Sequence, residues 1–163
     1  MNVNARIEIS GPLLAQGPAV VQRHIENFVT EATAFLLREV QLRTPQGVHG
    51  KLLKSVQMET VGRGTPVVRG VVATASPYGE VVERGRRPGK WPPKEQLREW
   101  VSLKFGVTGA ELERATYFVR RKIAQKGTPG HAMFYRGLAE NIPRLEAMAE
   151  AQGLKLAVDL SGE

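Results

Sequence analysis

The 163-residue chain has no cysteine. Disulfides, thiolate nucleophiles and cysteine zinc sites are therefore excluded, and the absence fits a reducing cytosol. Long apolar runs are missing as well. With no stretch of about twenty apolar residues, no transmembrane helix and no membrane partner are expected. Met1 to Gly17 lacks the charged-then-apolar pattern of a secretory signal. Histidine is scarce: His24, His49 and His131 lie far apart in sequence, and none stands in a metal spacing such as HExxH. His24 falls on or near the apolar face of a helical stretch, which suits a satisfied core or boundary histidine. His49 and His131 sit beside glycines in loops.

Catalytic signatures are absent too. No G-x-S-x-G occurs, and Ser55, Ser76 and Ser102 have no base at motif spacing. Gly62-Arg63-Gly64 joins two strands rather than a strand and a helix. Gly127-Thr128-Pro129-Gly130 lacks the lysine and hydroxyl residue that complete a phosphate loop. Glu80 and Glu83 could share a helix face and bind a cation, although exposure or pairing with Arg84, Arg86 or Arg87 explains them more simply. The sequence names no catalytic residue, no cofactor and no metal ligand, and the expectation is a protein that is not an enzyme.

What the chain does have is localised positive charge. The formal net charge is +7. From Arg84 to Lys126 there are twelve Lys/Arg against four Glu, a net of +8, whereas the remainder nets −1. A basic segment on a near-neutral body points to a polyanion or an acidic protein partner, with a solvated basic face as the plain alternative. The densest part is the loop carrying Arg84, Arg86, Arg87, Lys90 and Trp91. Guanidinium forks suit phosphate, and an indole can stack on a base or on an arginine. No helix-turn-helix, RNP motif or zinc finger accompanies them, so any nucleic-acid contact should be to backbone and unspecific.

The length suits one domain, and 42% hydrophobic residues suit a modest globular core. Val3, Ile7 and Ile9 alternate weakly, then Gly11-Pro12 and Gly17-Pro18 break the pattern, so residues 1–17 read as a flexible N-terminal arm. From Pro18 to Arg43, Val21, Ile25, Phe28, Ala32, Phe35, Leu36 and Val40 recur at three- and four-residue spacing and predict one long amphipathic helix. Leu52 to Val61 and Val67 to Ala75 read as two strands of an antiparallel hairpin, which needs a packing partner; the long helix is the obvious one. Ser76-Pro77 opens and Gly85 closes a short helix.

Helices follow over residues 93–105 and 109–126. Thr108 and Glu111 form a capping-box pattern. Leu112, Ala115, Thr116, Val119 and Ile123 line the inner side of the second of these helices. Arg120, Arg121 and Lys122 lie in its C-terminal half, where cations complement the helix dipole, with a binding role as the equal alternative. A last helix should run from His131 to Ala151, kinked or split at Pro143. Strict alternation of Leu154, Leu156, Val158 and Leu160 predicts a terminal strand or tail over residues 153–163. The fold class is α+β: a long N-terminal amphipathic helix on a small antiparallel sheet, then a helical second half, with residues 18–152 as a single domain.

Several fragments occur in a suggestive order. Arg43-Thr44-Pro45 ends the first helix, and Gly50-Lys51-Leu52-Leu53-Lys54-Ser55 follows. Then come Ser76-Pro77-Tyr78, Val82-Glu83-Arg84-Gly85 and Leu97-Arg98-Glu99-Trp100-Val101. Gly127-Thr128-Pro129-Gly130 then precedes Met133-Phe134 and a terminal amphipathic helix. In this order, over roughly residues 18–145, they resemble the neck or tail-completion proteins of long-tailed bacteriophages, the family typified by gene product ten of the HK-type lambdoid phages. Arg86 departs from that pattern, since many members carry threonine there, and the following loop is more basic.

The resemblance implies a virion structural protein, assembled in the host cytoplasm. It would form a homo-oligomeric ring, a hexamer, at the head–tail junction. Its partners would be further copies of itself, the tail tube or tail terminator protein, and head-completion or connector proteins. Genome DNA would pass unspecifically through the channel. Arg84, Arg86, Arg87, Lys90 and Trp91 would line that channel or an interface. The alternative class is a non-specific nucleic-acid-binding protein using residues 84–126.

Overall fold

In the computed structural model, the described residues are 12–65 and 67–161. They form α1 (Pro12–Arg43), α2 (Lys51–Ser55), β1 (Val56–Val61), β2 (Arg69–Thr74), α3 (Gly79–Arg84), α4 (Lys94–Phe105), α5 (Gly109–Lys126), α6 (Met133–Ala139) and α7 (Ile142–Ser161). β1 and β2 pair as a two-stranded sheet; consecutive and joined by a short turn, they run antiparallel. α1 packs against this sheet, and the second half of the chain is mainly helical. Residues form two compact units. Among the described residues, one comprises 12–36, 58–65, 67–72 and 140–161; the other comprises Leu37–Gln57 and Ala73–Ala139.

In the first unit the hairpin turn is tied to α1 by polar contacts. The Glu26 carboxylate accepts the Gly64 N–H at 2.7 Å and the Gln22 amide at 2.8 Å, and Gln22 also donates to the Thr65 carbonyl at 3.0 Å. The Gln22 bond, then the Gly64 bond, hold the Glu26 pKa below its ordinary value. β2 approaches α1 closely because residue 70 has no side chain: a Cβ there would stand 2.9 Å from the Thr33 Cβ. His24 is buried, as its place on the helix face suggests. Its Nε2 lies 2.9 Å from the Asp159 carboxylate and its Nδ1 2.7 Å from the Gln152 amide nitrogen. The His24 bond, with the charges of His24 and Arg23, lowers the pKa of Asp159.

In the second unit, Val40, Val56, Val101, Leu112, Ala124 and Met133 are buried. The helical spacing read for the inner side of α5 places Leu112 and Thr116 in the interior. α4 packs on α5 through a charged clasp: the Glu113 carboxylate accepts from Lys94 at 2.9 Å and from Arg98 at 2.6 Å. These two bonds, Lys94 first, hold the Glu113 pKa below its ordinary value. A carboxyl whose pKa is lower folded than unfolded contributes stability above the ordinary glutamate range and loses it as pH falls through the folded value. In denaturant titrations, the stability difference between wild type and Glu113→Gln should therefore be largest near neutral pH and shrink on acidification. A pH-independent difference would rule the clasp out as its source.

Four expectations need correction. The first helix begins at Pro12, not Pro18, so residues 12–17 belong to α1, with Pro18 inside it. An internal proline costs about 3 kcal/mol, but a long helix adds a favourable bond for each residue propagated. Gly17-Pro18 therefore does not act as a stop. The rest of the expected arm, residues 1–11, lies outside the described residues.

Residues 51–55 are a helical turn rather than the start of a strand. Lys54 N–H bonds to the Gly50 carbonyl at 2.9 Å, and the Ser55 hydroxyl donates to the Leu52 carbonyl at 2.7 Å. Leu52, Leu53 and Lys54 are good helix formers, and the valine that opens β1 comes only at position 56. Thr108 occupies the N-cap position of α5, but its side chain makes no capping bond, so the capping box is not formed.

The fourth correction concerns residues 153–163. Up to Ser161 they continue α7, and no C-terminal strand exists there among the described residues. The helix half-buries Leu156 and Leu160 and leaves Leu154 and Val158 exposed, so a two-residue alternation maps onto two sides of a helix. A helix already running from Ile142 propagates cheaply, and the Asp159 contacts with Arg23 and His24 retain its end. The expected split at Pro143 is present: α6 ends at Ala139 and α7 begins at Ile142, with proline in the first turn, where its missing N–H is harmless.

Candidate interaction site

The basic loop is built at a crossing of two segments. Arg86 N–H donates to the Thr128 carbonyl and Thr128 N–H donates to the Arg86 carbonyl, both at 2.9 Å. This pairs the Val82-Glu83-Arg84-Gly85 segment with Gly127-Thr128-Pro129-Gly130. His131 N–H reaches the Val82 carbonyl at 2.7 Å, and Ala132 N–H the Glu83 carbonyl at 3.0 Å. The crossing is too tight for side chains. A Cβ on residue 130 would stand 2.5 Å from the Glu83 carbonyl, and one on residue 127 would overlap the Arg86 carbonyl. Glu83 then turns its carboxylate onto the start of α6, accepting the N–H groups of Phe134 at 2.9 Å and Tyr135 at 3.0 Å. Those donors would otherwise have no partner at a helix N-terminus.

The five loop residues divide by role. Arg84 lies 3.6 Å from Glu80, with both side chains well exposed, so this pair adds little stability. Arg86 is half-buried, and its guanidinium donates to the Lys90 carbonyl at 3.0 Å, closing the loop. Gly89 N–H bonds to the Ala124 carbonyl at 2.7 Å, which seats the loop on α5. Trp91 is half exposed and packs beside α5: its ring is 5.9 Å from Tyr117, and the Arg120 guanidinium lies 5.3 Å over it. Arg120 also donates to the Pro92 carbonyl at 3.0 Å. Arg87 and Lys90 remain exposed, with no side-chain hydrogen bond or ion pair among the described residues. The structure thus brings the Trp91 ring and the aromatic side chains of α5 together. It assigns Arg86 to architecture and leaves Arg87 and Lys90 free to meet an anion.

Sequence reasoning missed two residues. Arg120, for which the sequence suggests a helix-end charge or a binding role, instead lies over the Trp91 ring, 29 positions away. Glu83, whose sequence neighbours suggest exposure or pairing with a nearby arginine, instead caps a helix 51 residues downstream. Neither partnership leaves a local signal.

His49 lies 3.2 Å from Glu99 beside a depression of about 510 Å³ that Glu95, Arg98, Glu99, Ser102 and Leu103 help to line. Among the described residues no hydrogen bond links the ring of His49 to His131, and no cluster of three or more metal-ligating side chains occurs. Comparison with protein-family models, curated proteins and solved structures gives no match.

Proposed function

We propose that the chain is a structural subunit of a long-tailed phage virion, assembling as a ring at the head–tail junction, where it completes the tail and lets it join the head. The observation that carries this reading is the distribution of apolar side chains. Among the described residues, seven hydrophobic side chains are buried, whereas twenty large ones are exposed. Contiguous exposed apolar surface marks interaction sites, and a ring subunit must cover two flanking faces and a docking face. Within the second unit, Trp100, Leu103 and Phe105 on α4 and Tyr117 and Phe118 on α5 are all exposed. The order of sequence fragments supplies the choice of assembly, and the basic loop supplies a surface suited to channel DNA or to an acidic neighbouring ring.

The test is complementation of a phage lacking the chain. Arg87→Glu with Lys90→Glu changes two exposed cations and no architectural contact. The variant should fold, and its yield of joined particles should fall at least tenfold while unjoined heads and tails accumulate. Normal virion yield would remove the loop from the joining surface. The second reading, a non-specific nucleic-acid-binding protein, rests on the same free cations. It predicts that the purified chain binds DNA with an affinity that falls steeply with salt.

A further inference from the structure

The outer faces of α5 and α7 are unpartnered, and they match each other. On α5, Arg114, Phe118, Lys122 and Gln125 follow one exposed stripe, with Tyr117 and Arg121 beside it. Tyr117 is 50% exposed and Phe118 60%. Tyr117 is held edge-on to Phe118 at 5.7 Å and tilted against Trp91 at 5.9 Å, so this aromatic surface is set in place before any partner arrives. Arg114, Arg121 and Lys122 have no carboxylate partner among the described residues.

On α7, Glu146, Glu150, Leu154 and Val158 recur every four residues along its outer side. Leu154 is 71% exposed and Val158 54%. Glu146 and Glu150 are exposed and have no ion-pair partner among the described residues, and like charges four apart on a helix repel.

We propose that α5 of one copy packs antiparallel on α7 of a neighbouring copy, with Lys122 beside Glu150, Phe118 on Leu154, and Arg114 near Val158 at the C-terminal end of α7. This proposal rests on the ring reading and names the faces that join the subunits. The register follows from spacing. Lys122, Phe118 and Arg114 are four residues apart, as are Glu150, Leu154 and Val158, and four helical residues rise about 6 Å. Antiparallel alignment therefore places cation on anion, ring on leucine, and the Arg114 guanidinium by the carbonyl-bearing helix end, where cations are favoured. Lys122 also relieves the Glu146–Glu150 repulsion.

A nucleic acid could occupy the basic α5 face, but it could not also occupy the acidic face of α7. One occupant, a second copy of the chain, satisfies both faces. Because the faces differ, the contact is heterologous and propagates from copy to copy, as a ring requires.

The absence of cysteine gives a clean test on the full chain. Gln125 and Ala147 are both exposed and, in this register, lie opposite each other without carrying the contact. Gln125→Cys and Ala147→Cys variants bearing tags of different mass are mixed and oxidised, then read on a non-reducing gel. The mixed disulfide should exceed either self-pair by at least fivefold. The off-register mixture of Gln125→Cys with Ser161→Cys should instead give the statistical pattern seen in urea. Lys122→Glu and Glu150→Lys should each reduce the mixed product at least fivefold, and combining the two reversals should restore it. A statistical pattern for Gln125→Cys with Ala147→Cys overturns the proposal. If sedimentation still shows oligomers, the ring reading survives with a different interface. If the chain remains monomeric alone and on purified tails, both readings fail.

Discussion

Gly127→Ala is expected to destabilise the chain by about 3–5 kcal/mol. Gly127 has φ 69° and ψ −163°, and Gly85 across the crossing has φ 77° and ψ −172°. That region is essentially closed to residues with a Cβ. The new methyl would also meet the backbone carbonyl of Arg86, which cannot rotate away because it accepts the Thr128 N–H. Either the methyl is accommodated by breaking the Arg86–Thr128 pair, or the strain is retained.

A domain of this size has about 5–15 kcal/mol in total, so the variant should be detectable by a large fall in denaturation midpoint. Gly153→Ala is the internal control. Gly153 lies inside α7 with no heavy atom within 4 Å of a built Cβ, so alanine there should stabilise by up to about 1 kcal/mol through helix propensity. Opposite signs for the two substitutions are the expected result. A neutral Gly127→Ala would mean that the crossing does not hold the loop.

Met133→Ala should cost about 2–5 kcal/mol, the range for emptying a buried large side chain. Met133 is fully buried at the start of α6, and the Thr44 hydroxyl lies 3.3 Å from its sulfur. That hydroxyl also donates to the Val40 carbonyl at 2.7 Å, so it keeps a partner when the sulfur is removed. The loss should therefore be packing rather than an orphaned donor. α6 also presses on α1 where a Cβ at position 137 would stand 2.8 Å from a Val40 methyl, which leaves little freedom for collapse around a cavity. Met133→Leu keeps most of the volume and should cost less than about 1.5 kcal/mol. Equal losses for alanine and leucine would point to the sulfur contact rather than to volume.

The fold was legible where a periodic pattern was long and its face was buried by one neighbour. Val21 through Val40 marked α1, and Leu112 and Thr116 marked the interior of α5. It was illegible where two periods coincide over a short run. Leu154, Leu156, Val158 and Leu160 satisfy a strand alternation and, four apart in pairs, two sides of a helix. Only continuation from Ile142 and the tether of Asp159 to Arg23 and His24 decide between them. Residues 51–55 failed similarly, because five residues carry too little pattern to separate a helical turn from a strand start.

At the candidate site, the clustering of charge was visible but its division of labour was not. Arg86 and Arg87 are adjacent and chemically identical. One closes a loop through the Lys90 carbonyl and the other points to solvent, a distinction set by backbone direction at the Thr128 crossing. The charged neighbours of Glu83 in sequence suggest local pairing, whereas its carboxylate accepts the N–H groups of residues 134 and 135.

The direct test of the central claim is immunogold electron microscopy of phage particles produced from the genome that encodes this chain, with an antibody raised against it. The account predicts label confined to the head–tail junction, in particles and on free tails competent to join heads. Label distributed over the head or the distal tail, or mature infectious particles lacking the chain altogether, would contradict it.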